Sequence, residues 1–223
     1  MRIAISQRVN YIAAYAERRD CLDQQWAALL ERLGHLPVPI PNGLNDPTAW
    51  ATNLQIEAFL LTGGNDLEPA GDSSTSAPER NRCERLILEH ASAHRLPVLG
   101  VCRGSQMINS FLGGSIVPVP GHVASRHQLT RTTEPARLLK SLPSQTEVNS
   151  FHNFGVDARG LAASLIPLMV DRQGFVEAAE HRNLPWAQIM WHPEREAWPS
   201  ALDISIFNDI FKPDGQSPDP CGR

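Results

Sequence analysis

Short, mostly apolar runs recur along the chain, and segments with helical spacing lie between them. The runs are Arg2 to Ser6, Leu36 to Ile40, Ala58 to Leu61, Leu96 to Val101 and Trp186 to Trp191. Apolar residues that follow one another without alternation predict strands buried on both faces. Between them, Leu22, Trp26, Leu29, Leu30 and Leu33 fall on one helical stripe closed by Gly34, and Asp46-Pro47 opens a short helix. Glu79 to His94 predicts a longer helix with Cys83, Leu86, Ile87 and His90 along one face. Met107, Ile108, Phe111 and Leu112 mark another, stopped by Gly113-Gly114. Strand and helix alternating in this way predict an α/β three-layer sandwich with a mostly parallel central sheet. Ligands of such sheets bind beyond the carboxyl ends of the strands.

Beyond Gly114 the pattern changes. Val117 to Gly121 is a turn-rich connector, followed by short β-like runs at Gln128–Thr132, Thr146–Val148, Leu165–Val170 and Val176–Ala179. They predict a smaller mixed or antiparallel set attached to the core sheet. Asp203 to Phe211 reads as a closing helix with Ile204, Phe207, Ile210 and Phe211 inward. Residues 7–20 read as a polar loop after the first strand, and residues 68–78 as a linker. Residues 1–212 are expected to form a single domain, and 213–223, rich in Pro, Gly and Asp, a disordered tail. No internal repeat is visible.

At 223 residues, with 42% hydrophobic and 20% charged residues, the chain can bury a sizeable core. A formal net charge of −4 with no basic run argues against nucleic acid as a partner. No apolar stretch approaches the ~18 residues a membrane span needs. Met1 to Ile5 runs straight into a strand, so no signal peptide is expected. Cys21, Cys83, Cys102 and Cys221 show neither metal-ligand nor paired-framework spacing. The expectation is therefore a reduced, cytoplasmic setting and no metal or organic cofactor.

The chemistry concentrates in three stretches. Gly100-Val101-Cys102-Arg103-Gly104 joins an apolar run to a helical one, the logic of a nucleophile elbow. A helix N-terminus behind Cys102 favours the thiolate; a buried structural cysteine is the competing reading. Trp191-His192-Pro193-Glu194 places an acid two residues after a histidine, which in an extended segment lets Glu194 orient His192. Leu61-Thr62-Gly63-Gly64-Asn65 presents backbone N–H groups of Gly63 and Gly64 for an oxyanion, joined by that of Arg103. Nucleophile, oriented base and oxyanion donors are the parts that acyl transfer needs.

Gly-Val-Cys-Arg-Gly-Ser-Gln at 100–106, Trp-His-Pro-Glu at 191–194, Leu-Thr-Gly-Gly-Asn-Asp at 61–66 and Asn149-Ser150-Phe151-His152 together resemble a known family. It is the class I glutamine amidotransferase-like, flavodoxin-like fold, in its gamma-glutamyl-gamma-aminobutyrate hydrolase branch. The resemblance runs from Arg2 to Phe211. It implies a Cys102–His192–Glu194 triad that hydrolyses a gamma-glutamyl amide of a small molecule and releases glutamate. Gln106 resembles the family glutamine that contacts the glutamyl group, and Ser150 and His152 are candidates for the same pocket. Arg103 fits either a substrate carboxylate or phosphate or a salt bridge behind the elbow. His35, His90, His94 and His181 read as structural or surface groups, while His122 and His127 sit near a loop within reach of the site.

The sequence departs from the family pattern at Asn81, where the family usually has aspartate, and at Arg172-Gln173-Gly174 in place of an Asp-Gly turn. Both put the aminobutyrate substrate in doubt. Arg8, Arg18 and Arg19, with Tyr11 and Tyr15, follow the first strand; they fit a solvated face or a subsite for a phosphate and a base. Ile5 to Arg8 and Glu17 to Asp20 resemble amidotransferase-like proteins of polysaccharide gene clusters, the gamma-glutamyl-CDP-amidate hydrolase subgroup. Two alternatives stay open, a glutaminase subunit feeding ammonia to a synthase and a non-catalytic binding protein. A homodimer is compatible with either.

Overall fold

A computed structural model describes residues 1–67 and 76–211. The expected tail therefore lies outside the described residues, as does most of the expected linker. In chain order the elements are β1 (Arg2–Ile5), β2 (Arg8–Ile12), β3 (Glu17–Cys21), α1 (Gln24–Arg32), β4 (Leu36–Pro39), α2 (Pro47–Asn53), β5 (Ala58–Leu61) and α3 (Pro78–His94). Then come β6 (Val98–Val101), α4 (Arg103–Phe111), β7 (Val117–Pro118), β8 (Val123–Arg131), β9 (Gln145–Phe151) and β10 (Phe154–Gly155). The last four are β11 (Leu165–Asp171), β12 (Val176–His181), β13 (Trp186–Ile189) and α5 (Ala201–Phe211).

One nine-stranded sheet organises the fold, in the order β4-β1-β5-β6-β13-β12-β11-β8-β9. Strands β4, β1, β5, β6 and β13 run parallel, and β12, β11, β8 and β9 continue the same sheet antiparallel. The late β-like runs thus belong to the core sheet itself.

The central parallel strands β1, β5 and β6 are apolar on both faces because both faces are covered. Ile3, Ile5, Leu60, Leu99 and Val101 pack with Trp26, Leu29 and Leu30 of α1 and with Ile206, Phe207, Ile210 and Phe211 of α5. Their alternates Ala4, Phe59, Leu61 and Val98 pack with Ala51 of α2, Ile87, Leu88 and Ala91 of α3, and Met107 and Ile108 of α4. Full burial of a Leu, Ile or Phe side chain contributes about 1.5–3 kcal/mol, so these two clusters are the main stabilising term.

Residues 7–20 correct the sequence reading. They form an antiparallel hairpin, with Arg8 opposite Cys21 and Ile12 opposite Glu17, turning at Ala16 with φ 52°. The hairpin has no apolar face to betray it, since six of its ten strand residues are exposed and only Val9 is buried. Polar clamps hold it instead. Asn65 accepts from Val9 N at 2.8 Å and donates to Val9 O at 3.0 Å; Asn42 donates to Asp20 from its backbone N at 2.9 Å and from Nδ2 at 2.8 Å. Tied in this way, β2 and β3 overhang the carboxyl ends of β1, β5 and β6.

Candidate active site

Parallel register brings the ends of β5, β6 and β13 to one edge, with Leu61 opposite Gly100 and Ile189 opposite Val101. Cys102 follows β6 at once, in a conformation (φ 54°, ψ −109°) that side-chain-bearing residues rarely adopt. Its N–H is anchored on Ile189 O at 2.8 Å. Glycine is required on either side of this turn. A Cβ on Gly100 would lie 2.7 Å from Gly104 O, and one on Gly104 would fall on the Leu61 carbonyl. Helix α4 begins at Arg103, whose N–H has no helical partner, so the positive end of the helix lies next to Cys102.

His192 and Glu194 meet as expected, by a different route. Strand β13 ends at Ile189, and Pro193–Arg195 is a 3-10 turn rather than extended chain. The turn folds Glu194 back so that its Oε1 lies 2.6 Å from His192 Nδ1, both groups buried. Asn149 of β9 fixes the backbone here, accepting from His192 N at 2.8 Å and donating to His192 O at 2.9 Å. Glu194 therefore holds the proton on Nδ1 and leaves Nε2 to Cys102. Nε2 has no conventional hydrogen bond; its neighbour is the Cys102 sulfur. Burial pulls the His192 pKa down, but the sulfur's charge and weak hydrogen bond, then Glu194, outweigh it and raise the value to about 9. His192 therefore carries its proton at neutral pH while its Nε2 faces the Cys102 sulfur.

The Gly63-Gly64 loop, the expected oxyanion donor, is held by a residue that the sequence pattern hid. Arg80 of α3, fully buried, donates to Thr62 O at 2.7 Å, Gly63 O at 3.0 Å and Gly64 O at 2.8 Å. In planar trans peptides each such carbonyl sets the following N–H in the opposite direction. The N–H groups of Gly63, Gly64 and Asn65 consequently point away from α3. Gly63 itself lies against the pair it serves, since a Cβ there would be 2.7 Å from His192 Cε1 and 3.6 Å from Cys102 Cβ.

Arg80 and Arg103 share Glu84. Arg80 Nε donates to Glu84 Oε1 at 2.8 Å, and Arg103 donates to Glu84 Oε2 and to Asn81 Oδ1. Arg103 is thus the salt bridge behind the elbow, although it also borders the pocket. Two guanidiniums meet on one carboxylate behind Cys102, with Asp66 acting on Arg103 and Asp20 on Arg80 as further negative charges nearby. Asn81, neutral where the resembled family has aspartate, adds no further charge. Burial and the charge of Arg8 press the Arg80 pKa down, to about 9, while the Cys102 sulfur draws it up.

A cleft of about 580 Å³ opens over Cys102. It is bordered by Arg8 and Tyr11 of the hairpin, by Gly64, and by Gln106 and His152, all expected at the site. Gln106 Nε2 donates to Phe154 O at 2.9 Å, leaving its oxygen for a ligand. Ser150 is buried and donates to His122 O at 2.7 Å, outside the residues that border the cleft. Arg18 and Arg19 also lie outside that border. Arg18 pairs with Glu79 at 2.5 Å and Arg19 with Glu17 at 2.5 Å, both half exposed. Behind the cleft wall, His152 meets buried His122, Glu177 and the partly buried His127, a group the spacing alone did not connect. Burial raises the Glu177 pKa, but His127 and His152 lower it more, to about 2.

Fold and site define an α/β protein with a cysteine elbow and a histidine–acid pair at the carboxyl edge of a parallel sheet. The chain belongs to the Peptidase C26 family, whose model matches residues 3–194. It is 31% identical over 212 residues to gamma-glutamyl-CDP-amidate hydrolase of Campylobacter jejuni, covering 95% of this chain and 98% of that one. It is 26% identical over 218 residues to gamma-glutamyl-gamma-aminobutyrate hydrolase of Escherichia coli O157:H7, covering 85% of each. A glutamine amidotransferase of Thermotoga maritima shares the fold, with a TM-score of 0.65 at 15% identity over 86% of this chain and 76% of that one. Among the described residues no helix is long and apolar enough to cross a membrane.

Proposed function

We propose that this chain is a cysteine-dependent hydrolase that cleaves a gamma-glutamyl amide through a thioester, releasing glutamate and an amine or amidate. The observation that carries this reading is the strained Cys102 facing a buried His192 that Glu194 orients at 2.6 Å. In the first half-reaction the Cys102 sulfur attacks the amide carbonyl carbon. N–H groups of Gly63, Gly64 and Arg103 hold the oxyanion. The C–N bond then breaks as His192 gives its proton to the leaving nitrogen. In the second half, neutral His192 takes a proton from water, the hydroxide attacks the thioester, and the sulfur leaves with glutamate released.

The substrate we favour is a small molecule whose leaving group carries phosphate, a nucleoside-diphosphate amidate such as a gamma-glutamyl-CDP-amidate. Support comes from the near-complete overlap with the Campylobacter relative and from Arg8 and Tyr11 at the cleft, a cation and an aromatic face suited to phosphate and base.

The test is glutamate release from three compounds: a gamma-glutamyl-linked CDP-amidate, gamma-glutamyl-gamma-aminobutyrate and glutamine. We expect the first to be turned over best, Cys102→Ala to abolish turnover, and iodoacetamide to label Cys102 ahead of Cys21 and Cys83. Cys83 is buried and its pKa is pushed up to about 11 by that burial. Glutamine alone as substrate would instead favour an ammonia-delivering subunit. Glutamate release undiminished in Cys102→Ala would refute the thioester route.

A further inference from the structure

The buried group behind the cleft wall brings more acceptors together than the donors of neutral imidazoles can satisfy. His152 Nδ1 lies 2.9 Å from Phe154 O, which can only accept, so the ring proton is on Nδ1 and Nε2 carries a lone pair. His122 Nε2 lies 3.1 Å from Asp171 Oδ2, so its proton is on Nε2 and Nδ1 carries a lone pair. These two lone pairs face each other at 3.4 Å. Glu177 Oε1, a third acceptor, lies 3.7 Å from His122 Nδ1 and 3.5 Å from His152 Nε2. Both Glu177 oxygens and His127 Nε2 are buried without a hydrogen bond, and His127 Nε2 stands 3.4 Å from Glu177 Oε2. Glu177 is 1% exposed. Acceptors converging on one point in a buried site repel unless a metal ion or an added proton lies between them.

We propose that His122 Nδ1, His152 Nε2 and Glu177 Oε1 form a binding site for one divalent cation of the zinc type, with His127 Nε2 against the other Glu177 oxygen. A tetrahedral ion about 2.1 Å from each ligand atom requires edges of about 3.4 Å between them. The 3.4, 3.5 and 3.7 Å edges of the converging triangle match. Charge matches as well, since Glu177 and Asp171 bring two negative charges and neutral imidazoles bring none. The outer contacts are those of a ligating histidine. Asp171 orients His122, and Asp171 is itself fixed by Gln173 N at 2.9 Å and Phe175 N at 2.8 Å, while Phe154 O orients His152. Imidazole and carboxylate ligands in four-coordinate geometry suit zinc better than magnesium or calcium.

The four residues come from the segment before β8, from β8, from just beyond β9 and from β12. A bound ion would therefore lock the wall segment that places His152 and Phe154 at the cleft. The role is structural, and the acyl-transfer steps draw on residues outside this cluster.

The test uses the full chain, stripped with a chelator and titrated with zinc alone. Metal content, thermal denaturation and the X-ray absorption spectrum are read on the wild type, Cys102→Ala and Glu177→Gln. Cys102→Ala is needed because a thiolate beside a histidine also attracts zinc. We expect about one zinc per chain in both the wild type and Cys102→Ala, with the melting temperature raised by at least about 5 °C at a hundredfold excess over Kd. The spectrum should show nitrogen and oxygen neighbours without sulfur, and uptake should be lost in Glu177→Gln. Because that variant could fail to fold, the wild-type spectrum decides independently. Absence of uptake, uptake retained in folded Glu177→Gln, uptake lost in Cys102→Ala or sulfur in the coordination shell would each overturn the proposal. Absence of uptake would mean that protons on the histidines neutralise Glu177 instead.

Discussion

Arg80→Lys separates the geometry of the oxyanion loop from its charge. Lysine keeps the cation but replaces a planar fork of five N–H donors with three on a single atom. Arg80 has four partners at 3.0 Å or closer, Glu84 and the carbonyls of Thr62, Gly63 and Gly64. At least one of these must lose its donor. A charge-assisted hydrogen bond contributes about 1.5–3 kcal/mol, and a buried carbonyl left unpaired costs about 1–3 kcal/mol. A loss near 3 kcal/mol in a chain of this size lowers the melting temperature by roughly 6–12 °C. The freed peptide also turns its N–H away from the oxyanion, and loss of one such donor slows turnover about 10²–10³-fold. Steady-state glutamate release should therefore show kcat falling by that factor while KM moves less than about fivefold, because the loop acts on the transition state. A kcat within about threefold of wild type, with the melting temperature lowered as calculated, would refute the reasoning. Arg80 would then hold the loop in place without setting its catalytic geometry.

Two further outcomes follow from the site. His192 holds its proton up to about pH 9, and the proposed thioester route needs that proton when the leaving nitrogen departs. The acylation rate should thus fall as pH rises through about 9, and an NMR titration of the His192 ring should show the same midpoint. In Cys102→Ala the ring loses the sulfur that raises its pKa, so its midpoint should drop; an unchanged midpoint would show that Glu194 alone sets it. Arg8→Ala should raise KM for a CDP-linked substrate about tenfold or more and leave an uncharged gamma-glutamyl amide nearly unaffected. Arg18→Ala should change neither appreciably, because an exposed pair with Glu79 contributes at most about 1 kcal/mol. Equal losses for both variants would overturn this assignment of Arg8.

The parallel half of the sheet was legible because strands such as Ala58–Leu61 and Val98–Val101 must be apolar on both faces, which leaves an unbroken run in the sequence. Helix α3 was legible in extent and misread in orientation. Its buried stripe is Arg80, Cys83, Glu84, Ile87, Leu88 and Ala91, so two of the six inward positions are charged. Apolar spacing alone rotated the expected face toward Leu86 and His90. An i, i+4 arginine–glutamate pair near a helix start reads as a solvated face. Nothing local distinguishes it from a buried one until Arg103 and the Gly63-Gly64 loop arrive from other elements. The β2–β3 hairpin was invisible for a related reason, since Asn42 and Asn65, distant in sequence, hold it in place of an apolar face.

The sequence by itself determined the alternating α/β core, the elbow at Cys102 and the pairing of His192 with Glu194, because each rests on neighbours within a few residues. Glycines at 100 and 104 and an acid two residues after a histidine are local constraints that leave a local trace. Tertiary structure alone decided which of the charged residues meet. It put Arg80 under the Gly63-Gly64 loop, turned Arg103 back onto Glu84, brought Arg8 rather than Arg18 or Arg19 to the cleft, and gathered His122, His127, His152 and Glu177 from separate segments. Charges act through space across a dry interior, and their partners are set by strand order and register, which no single stretch of the chain encodes.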